Sequence, residues 1–511
     1  GDSLGGLMII ETIHWSTQIG YPILSLLQLL PLLSLFAIWL LKRHPLLLPA
    51  AVTAASIELL LGIDLWLHYD SSVTSMQFSE TAQLFSVLNY QAAVDGLSVV
   101  FILLTGLLTL LLILYAKVRE LKPYNHLYMA TFAVQACLMG MFVTLNLLLF
   151  VLISAIQIGI VGYMLWRWGN SPDKGMAMRR FYQFMTISIL LLLTGTLLLG
   201  WNYADSHQGV WAFDLIQLSK APVSETFRSV AFFLLFYGLA IRTPLFPLHG
   251  WLPLVAEHGN VAVAPTLLLG LKIGIYGLFR FVLPLLPTAV IEWHNYVVAF
   301  ALCGIFYAAF LAMMQDNLRR LLAYAVISHT GILILGVFSL EHAAFMGSVI
   351  LSLTFGLALA ALVFTTGLLY RRTHTTLLPN LGGLFDNLPF LGITFLIGGL
   401  AIIGMPGTPG FDAVHLILES AIHKFGALVT IASALGNVAA AGFLLWAFQR
   451  AFLAPRPNGA QPFQIIAITK AEVFVVSALV AVLLSAGFYI EPWLKLIDQP
   501  LSALSALYTS H

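Results

Sequence analysis

SVAFFLLFYGLAIRTPLFPLHGWLP, residues 229–253, begins as a membrane helix and then stops being one. Its first thirteen residues are almost wholly apolar; then come Arg242, Pro244, Pro247, His249 and Pro253. A charge in hydrocarbon is costly, and proline removes a backbone donor and breaks the helical ladder. A spanning segment that accepts both is built around a polar interior.

The rest of the chain agrees. Of 511 residues, 60% are hydrophobic and 9% charged, with a mean hydropathy of +0.95. Soluble domains carry about 25% charged residues, so these charges are too few to cover a water-facing surface. The formal net charge of +1 gives no sign of nucleic-acid binding. Cys137 and Cys303 lie in apolar stretches and read as packing residues, with no metal-ligand or disulfide pattern. No GxGxxG followed by an acid, CxxC or Walker loop is present, so no cofactor is expected.

The fold class expected is an all-α polytopic membrane protein with about 14 transmembrane helices, each needing ~20 apolar residues. The spans fall near 22–41, 46–67, 94–116, 126–145, 147–168, 181–201, 228–248, 261–284, 293–314, 321–340, 346–370, 389–421, 426–449 and 470–491. The opening GDSLGGL, 1–7, reads as extraneous, and 8–511 as a single transmembrane domain. Lysines and arginines follow the odd-numbered spans: Lys42 and Arg43, Lys117 to Lys122, Arg167 to Arg180, Arg319 and Arg320, Arg371 and Arg372, Arg450 and Arg456. The positive-inside rule then puts both termini on the non-cytoplasmic side.

A second interruption, GMPGTPGF at 404–411, falls in span twelve, five spans after the first. Breaks at spans seven and twelve, marked by Pro244 and Pro247 and by Pro406 and Pro409, point to two inverted five-helix repeats, about 126–284 and 293–449. The alternative is two unrelated kinks.

Ionisable residues inside spans are functional candidates by default. They are Glu58, Arg242, Lys272, His329, Asp412, His415 and Glu419, with Asn146, Ser154 and Gln157 adding neutral polarity to span five. A buried lysine and a histidine can take up and release a proton as their surroundings change; arginine stays charged. Lys272 and His329 therefore fit a proton path, and Arg242 a fixed charge at its centre. Each has a plainer reading. Lys272 can sit in a structural ion pair, His329 can hold a backbone carbonyl, Asp412 can cap the half-helix after the second break, and Glu419 and His423 can lie near the interface. Arg280 reads as interfacial, its long side chain reaching toward water.

Three stretches, RTPLFPLHGWLP (242–253), LKIGIYGLFRFVLPLLP (271–287) and DNLRRLLAYAVISHTG (316–331), resemble the antiporter-like membrane subunits of respiratory complex I, nearest to its M-type subunit and related to Mrp sodium/proton antiporters. VDGLSVVFILLTGLLTLLLILYA (94–116) fits the family's third span and GMPGTPGF its twelfth. The resemblance implies proton translocation coupled to a partner's chemistry. It also implies a glutamate in span five paired with a lysine at the first break. Here those positions fall on Ala155 and Arg242, Phe355 stands where a histidine is common, and the span-twelve glutamate falls near Val414, with Asp412 and Glu419 as imperfect substitutes. Lys272 and the Ser328–His329 pair match. Gln157, Glu257, a backbone carbonyl or a partner's carboxylate are the candidates to answer Arg242.

The altered pair leaves several functions open: a proton-conducting subunit of a larger complex, a scaffold, the proton-linked half of an inorganic-carbon uptake complex, or a sodium/proton antiporter subunit. The expected partners are sister membrane subunits, lipids, and a soluble or peripheral catalytic subunit, either a redox module or a carbonic-anhydrase-like zinc protein. The expected location is the bacterial inner membrane.

Overall fold

The computed structural model describes residues 8–259, 273–460, 463 and 465–509. The opening heptapeptide and Lys272 lie outside the described residues. Helices α1 (Ile23–Leu41) and α2 (Leu47–His68) form a first hairpin. A small sheet follows in the polar stretch 68–93: β1 (Thr12–His14) pairs in parallel with β2 (Met76–Gln83), which pairs antiparallel with β3 (Asn89–Val94). The sheet has a job at the start of α1. Pro22, at its N-cap, offers no side-chain cap. The Glu80 carboxylate of β2 instead accepts the Leu24 N–H at 2.9 Å, the Ser25 N–H at 3.2 Å and the Ser25 hydroxyl at 2.5 Å. An anion thus meets the positive end of the helix and satisfies its orphan donors.

Helices α3 (Gly96–Val118), α4 (Tyr124–Val143), α5 (Leu147–Arg167) and α6 (Lys174–Ser206) cross next. Side-chain caps set the starts of α3 and α5: Asp95 accepts from the Ser98 N–H, and Asn146 from that of Leu149. Short α7 (Leu215–Ser219) precedes α8 (Glu225–Arg242) and α9 (Leu252–His258), and α10 (Ile273–Leu285) leads to α11 (Pro287–Met313). The second half comprises α12 (Leu318–Phe338), α13 (His342–Thr373), α14 (Pro389–Ile403), α15 (Pro409–Phe425), α16 (Ala427–Phe448) and α17 (Lys470–Phe488), closed by the amphipathic α18 (Glu491–Ser505).

Among the described residues, eleven helices are long and apolar enough to cross a membrane, with α10 and α14 as shorter apolar helices. Several outrun the apolar cores read from sequence; α6 extends seven residues before 181 and α13 three beyond 370. Helical hydrogen bonding continues into the headgroup region wherever charged side chains can reach water, so an apolar core marks the minimum length of a helix. The periphery of the bundle is apolar: Leu33, Phe36, Trp39, Ile156, Trp201 and Phe310 are exposed.

At the centre, α12 is buried throughout from Leu321 to Phe338. It packs against α9 and α11 on one side and α13, α15 and α16 on another. Its approach to α11 is close: a Cβ on Gly331 would lie 2.6 Å from the Ala301 carbonyl oxygen. Both described ends of the chain lie at one end of the bundle. β1 is paired to β2, and α18 packs on the start of α3. The arginine and lysine clusters occupy the opposite end, at the ends of α1, α3, α5, α13 and α16.

Two expectations are corrected. Arg280 does not reach for an interface. It is buried and holds Asp95 through two hydrogen bonds, 2.7 and 2.6 Å, with Ser98 Oγ at 2.9 Å, the Tyr276 hydroxyl at 3.1 Å and Met76 Sδ at 3.8 Å as further partners. A fully answered guanidinium can stay in the interior, where an unanswered one must seek water. Cys303 is not a packing residue; it is exposed on the outer face of α11, while Cys137 is half-buried.

Candidate functional site

The first break runs from the end of α8 to the start of α9. The last carbonyls of a helix have no partner within it and must find one elsewhere when buried. At α8 the Leu239 carbonyl accepts the Thr243 N–H at 3.1 Å, and the Ala240 carbonyl accepts the Leu245 N–H at 2.8 Å. Farther along, the Ile241 carbonyl accepts the Trp251 indole N–H at 2.8 Å, and that of Thr243 lies 3.3 Å from the Thr330 hydroxyl, which also has the Val326 carbonyl of its own helix at 2.8 Å. Pro244 and Pro247 prevent the helix from continuing.

The second break closes in the same manner. Gly404 sits at φ +96°, a left-handed conformation that glycine adopts without the Cβ penalty. It allows the turn in which the Met405 N–H returns to the Leu400 carbonyl at 2.9 Å and its own N–H reaches that of Ala401 at 3.3 Å. The two remaining carbonyls are answered from neighbouring helices: Ile402 by His329 Nε2 at 3.0 Å and Ile403 by Asn437 Nδ2 at 2.6 Å. All four terminal carbonyls of α14 are therefore satisfied. Pro406 lies in the turn, and Pro409 starts α15 as its first residue.

Arg242, the last residue of α8, is buried. Its guanidinium donates to Ser154 Oγ and Gln157 Oε1, which lie one turn apart on α5. Both are neutral. Among the described residues no carboxylate pairs with Arg242. Glu257 is committed elsewhere, to Arg320 at 2.9 Å. Ala155 stands half-buried between the two residues that do the holding. The Nε2 amide of Gln157 finds no partner among the described residues.

His329 is buried completely, with its ring 5.2 Å from that of Phe355. A carbonyl only accepts, so Nε2 carries the proton toward Ile402, while Nδ1 is unpartnered among the described residues. Ser328, its neighbour, donates to the Ile305 carbonyl at 3.0 Å. Val414 is buried beside Gly404.

The remaining candidates are not gathered here. Asp412 is half-buried in the first turn of α15, where its charge complements the helix dipole. His415 and Glu419 face each other at 3.7 Å on the outer side of α15, with side chains 72% and 56% exposed. Glu58 is buried on the inward stripe of α2, with Ala55 and Gly62, against α1 and α3 and away from both breaks. Neither of its oxygens has a partner among the described residues.

Sequence reasoning missed Thr330, Trp251 and Asn437 as carbonyl partners at the breaks. Their signal was weak but present: a polar residue beside His329, a tryptophan inside the first proline cluster, and an asparagine in an otherwise apolar span. The arrangement as a whole is a line of buried polarity crossing the bundle, from Ser154 and Gln157 through Arg242 and α12 to the second break. Such a line suits charge or proton movement at membrane depth.

The comparisons with known proteins fit this geometry. The model of a family described as NADH:quinone oxidoreductase/Mrp antiporter, TM, matches residues 144–440, a stretch that includes both breaks. The NADH-quinone oxidoreductase subunit M of Escherichia coli K12 is 28% identical over 490 residues, 92% of this chain and 95% of the relative. NAD(P)H-quinone oxidoreductase chain 4 1 of Synechococcus elongatus is 31% identical over 461 residues, 87% of this chain and 84% of the relative. Among solved structures, a chain of respiratory complex I from Thermus thermophilus is 27% identical and superposes with a TM-score of 0.84, covering 95% of this chain and 99% of that one. A chain of the Mrp complex from Dietzia sp. shares the fold, with a TM-score of 0.83 at 19% identity over 95% of this chain and 98% of that one.

Proposed function

Because the chain belongs to the NADH:quinone oxidoreductase/Mrp antiporter transmembrane family, as an antiporter-like membrane subunit of the M type, we propose a specific division of labour within it. The first break holds a permanent positive charge, and protons move along a path that uses Lys272 and His329 and not Arg242. The observation that carries this reading is the neutral cradle of Arg242. A guanidinium stays protonated throughout the physiological range. With Ser154 and Gln157 as its partners, it sets an electrostatic barrier or anchor and does not itself shuttle protons. His329, with one ring nitrogen fixed on a carbonyl and the other unpartnered among the described residues, suits transfer through water.

The two breaks would be corresponding elements of inverted repeats, 126–284 and 293–449. The subunit would work beside sister membrane subunits in a bacterial inner membrane, both termini facing away from the cytoplasm. Proton movement would be driven by a soluble or peripheral partner. The chain itself brings no redox motif, so any electron transfer belongs to that partner.

The test is proton uptake into vesicles carrying the assembled native complex, driven by the complex's own reaction. Lys272→Ala and His329→Ala should each cut coupled uptake by more than tenfold, whereas Arg242→Lys with Ala155→Glu should leave it within a few-fold. Uptake that survives Lys272→Ala would reject the path and favour a scaffold. The loss of the family's acidic residue at Ala155 supports that second reading, including its version in an inorganic-carbon uptake complex. Co-purification of a carbonic-anhydrase-like zinc protein in place of flavin and iron–sulfur subunits would select that version.

A further inference from the structure

At the basic end of the bundle, Lys42, Arg43, Lys117 and Lys122 surround a pocket of about 410 Å³ between the α1–α2 and α3–α4 turns. Among the described residues none of these four cations has an ion-pair partner. Glu120, the acid nearest in sequence, is exposed and pairs with none of them. Two of the lysines are stationed over aromatic faces, Lys42 at 5.9 Å from the Trp39 ring and Lys117 at 4.6 Å from that of Tyr124. The aromatic faces position these charges without neutralising them.

Lys42 and Asn125 also line a second, open groove of about 580 Å³, so the two spaces adjoin. The groove is walled by Leu35 and Trp39 of α1, Met129 and Ala133 of α4, and Ile160 and Tyr163 of α5. Leu35 is seven residues from Lys42, and Ala133 eight from Asn125. At 1.5 Å per residue the groove runs roughly 10–12 Å from the charged rim into the hydrocarbon layer. Much of one leaflet's ~15 Å of hydrocarbon lies within that reach.

We propose that this composite surface is a binding site for an anionic phospholipid, its phosphate in the four-cation pocket and an acyl chain along the α1–α4–α5 groove. Charge complementarity identifies the headgroup, since unneutralised cations gathered at a membrane surface attract anionic lipids. The continuous apolar groove separates a lipid from a free anion, which would leave it empty. The proposal goes beyond the transport reading and does not rest on it, because it involves none of the residues at either break.

The experiment uses the full chain, purified in a neutral detergent and stripped of lipid, with native mass spectrometry as the readout. The probes are palmitoyl-oleoyl phosphatidylglycerol, the matching phosphatidylcholine, and inorganic phosphate. Phosphatidylglycerol should bind with one saturable site, phosphatidylcholine far more weakly, and phosphate should not compete. Each basic group near an anionic headgroup is worth roughly fivefold in binding, so the triple variant Lys42→Gln/Lys117→Gln/Lys122→Gln should bind phosphatidylglycerol roughly a hundredfold more weakly. A Cβ at Gly159, which also lines the groove, meets nothing within 4 Å, so Gly159→Trp fills the groove without disturbing the packing beneath it. This variant should lose the lipid with every charge in place. Equal binding of phosphatidylglycerol by wild type and triple variant would overturn the proposal, as would displacement of the lipid by inorganic phosphate. A photo-crosslinker at position 133 should capture lipid in native membranes; capture of a neighbouring protein subunit instead would assign the groove to a subunit contact and sink the lipid site.

Discussion

A buried charged residue is informative through the company it keeps. Arg242 is held by a hydroxyl and an amide, Arg280 by a carboxylate, and Arg320 by Glu257 near the surface. The first arrangement leaves a net charge inside the protein, and the others cancel it. That difference makes Arg242 a functional candidate and Arg280 a structural one. Asp214 offers a test of burial at the same scale. It lies in the connection between α6 and α8, where its carboxylate caps α7 by accepting the Gln217 N–H at 2.8 Å. Burial pushes its pKa up from the ordinary aspartate value, and the bonds from the backbone only partly oppose this. A raised folded-state pKa in an acid means that the folded protein holds the proton more tightly than the unfolded chain does. Its contribution to stability is therefore greatest at low pH and falls as pH rises, from the unfolded value near 4 through the raised folded one. Asp214→Asn keeps a capping oxygen and removes the titration. The melting temperature of this variant relative to wild type should climb as pH rises across that window and then level off. A constant offset at every pH would contradict the assignment.

At the scale of elements, the interrupted helices were legible because proline and glycine act locally. Pro244 and Pro247, and Pro406 with Gly404, end a helix through their own backbones, so sequence alone locates both breaks. The partners that make those breaks tolerable were not legible. His329 and Ile402 are 73 residues apart, and Asp95 and Arg280 are 185 apart. Nothing in local periodicity records which distant side chain will arrive, and for that reason Arg280 read as an interfacial residue. The strands hidden in the polar stretch 68–93 escaped notice for a similar reason: the pairing of β2 with β1 joins Thr12 to Met76 and His14 to Ser79, far apart in the chain. The Asp95–Arg280 pair ties the start of α3 to α10, and its energetics follow from its burial. Asp95→Ala should cost about 3–5 kcal/mol by stranding the guanidinium. Asp95→Leu combined with Arg280→Met should cost less than Asp95→Ala, although both lose the Asp95 cap of α3, worth about 1 kcal/mol. A double-mutant cycle on unfolding in mixed micelles measures the difference, and simple additivity of the two single losses would count against a coupled pair.

For the molecule as a whole, the first and last described segments are structural members. The small sheet caps α1, and α18 lies against α3 and α13. Gly96 shows how tight the second contact is: a Cβ there would stand 1.7 Å from the Leu496 carbonyl oxygen. Gly96→Leu should therefore lift α18 away while the transmembrane helices stay in place. Limited trypsin treatment in detergent should then cut at Lys495, with wild type protected by its helical backbone. Unchanged resistance in the variant would show that α3 yields and α18 stays. The all-helical membrane class was readable from composition because the bilayer imposes a length on every apolar run, whereas the expected count of about fourteen exceeds the eleven helices long and apolar enough to cross among the described residues. The long-range docking of α18 was not readable, since its contact depends on the absence of a side chain at residue 96.

The hydrogen bonds from α12 carry a further consequence. The Thr330 hydroxyl, bonded at 2.8 Å to the Val326 carbonyl of its own helix, lies 3.3 Å from the carbonyl of Thr243 at one break, and the adjacent His329 holds that of Ile402 at the other. Consecutive residues of a helix share one rigid backbone, 1.5 Å apart along the axis and about 100° around it. A slide or twist of α12 that loosens one bond must also disturb its neighbour. The two gaps in the helices thus meet one common shaft, at consecutive residues of its backbone, although the breaks themselves are about 160 residues apart in the chain.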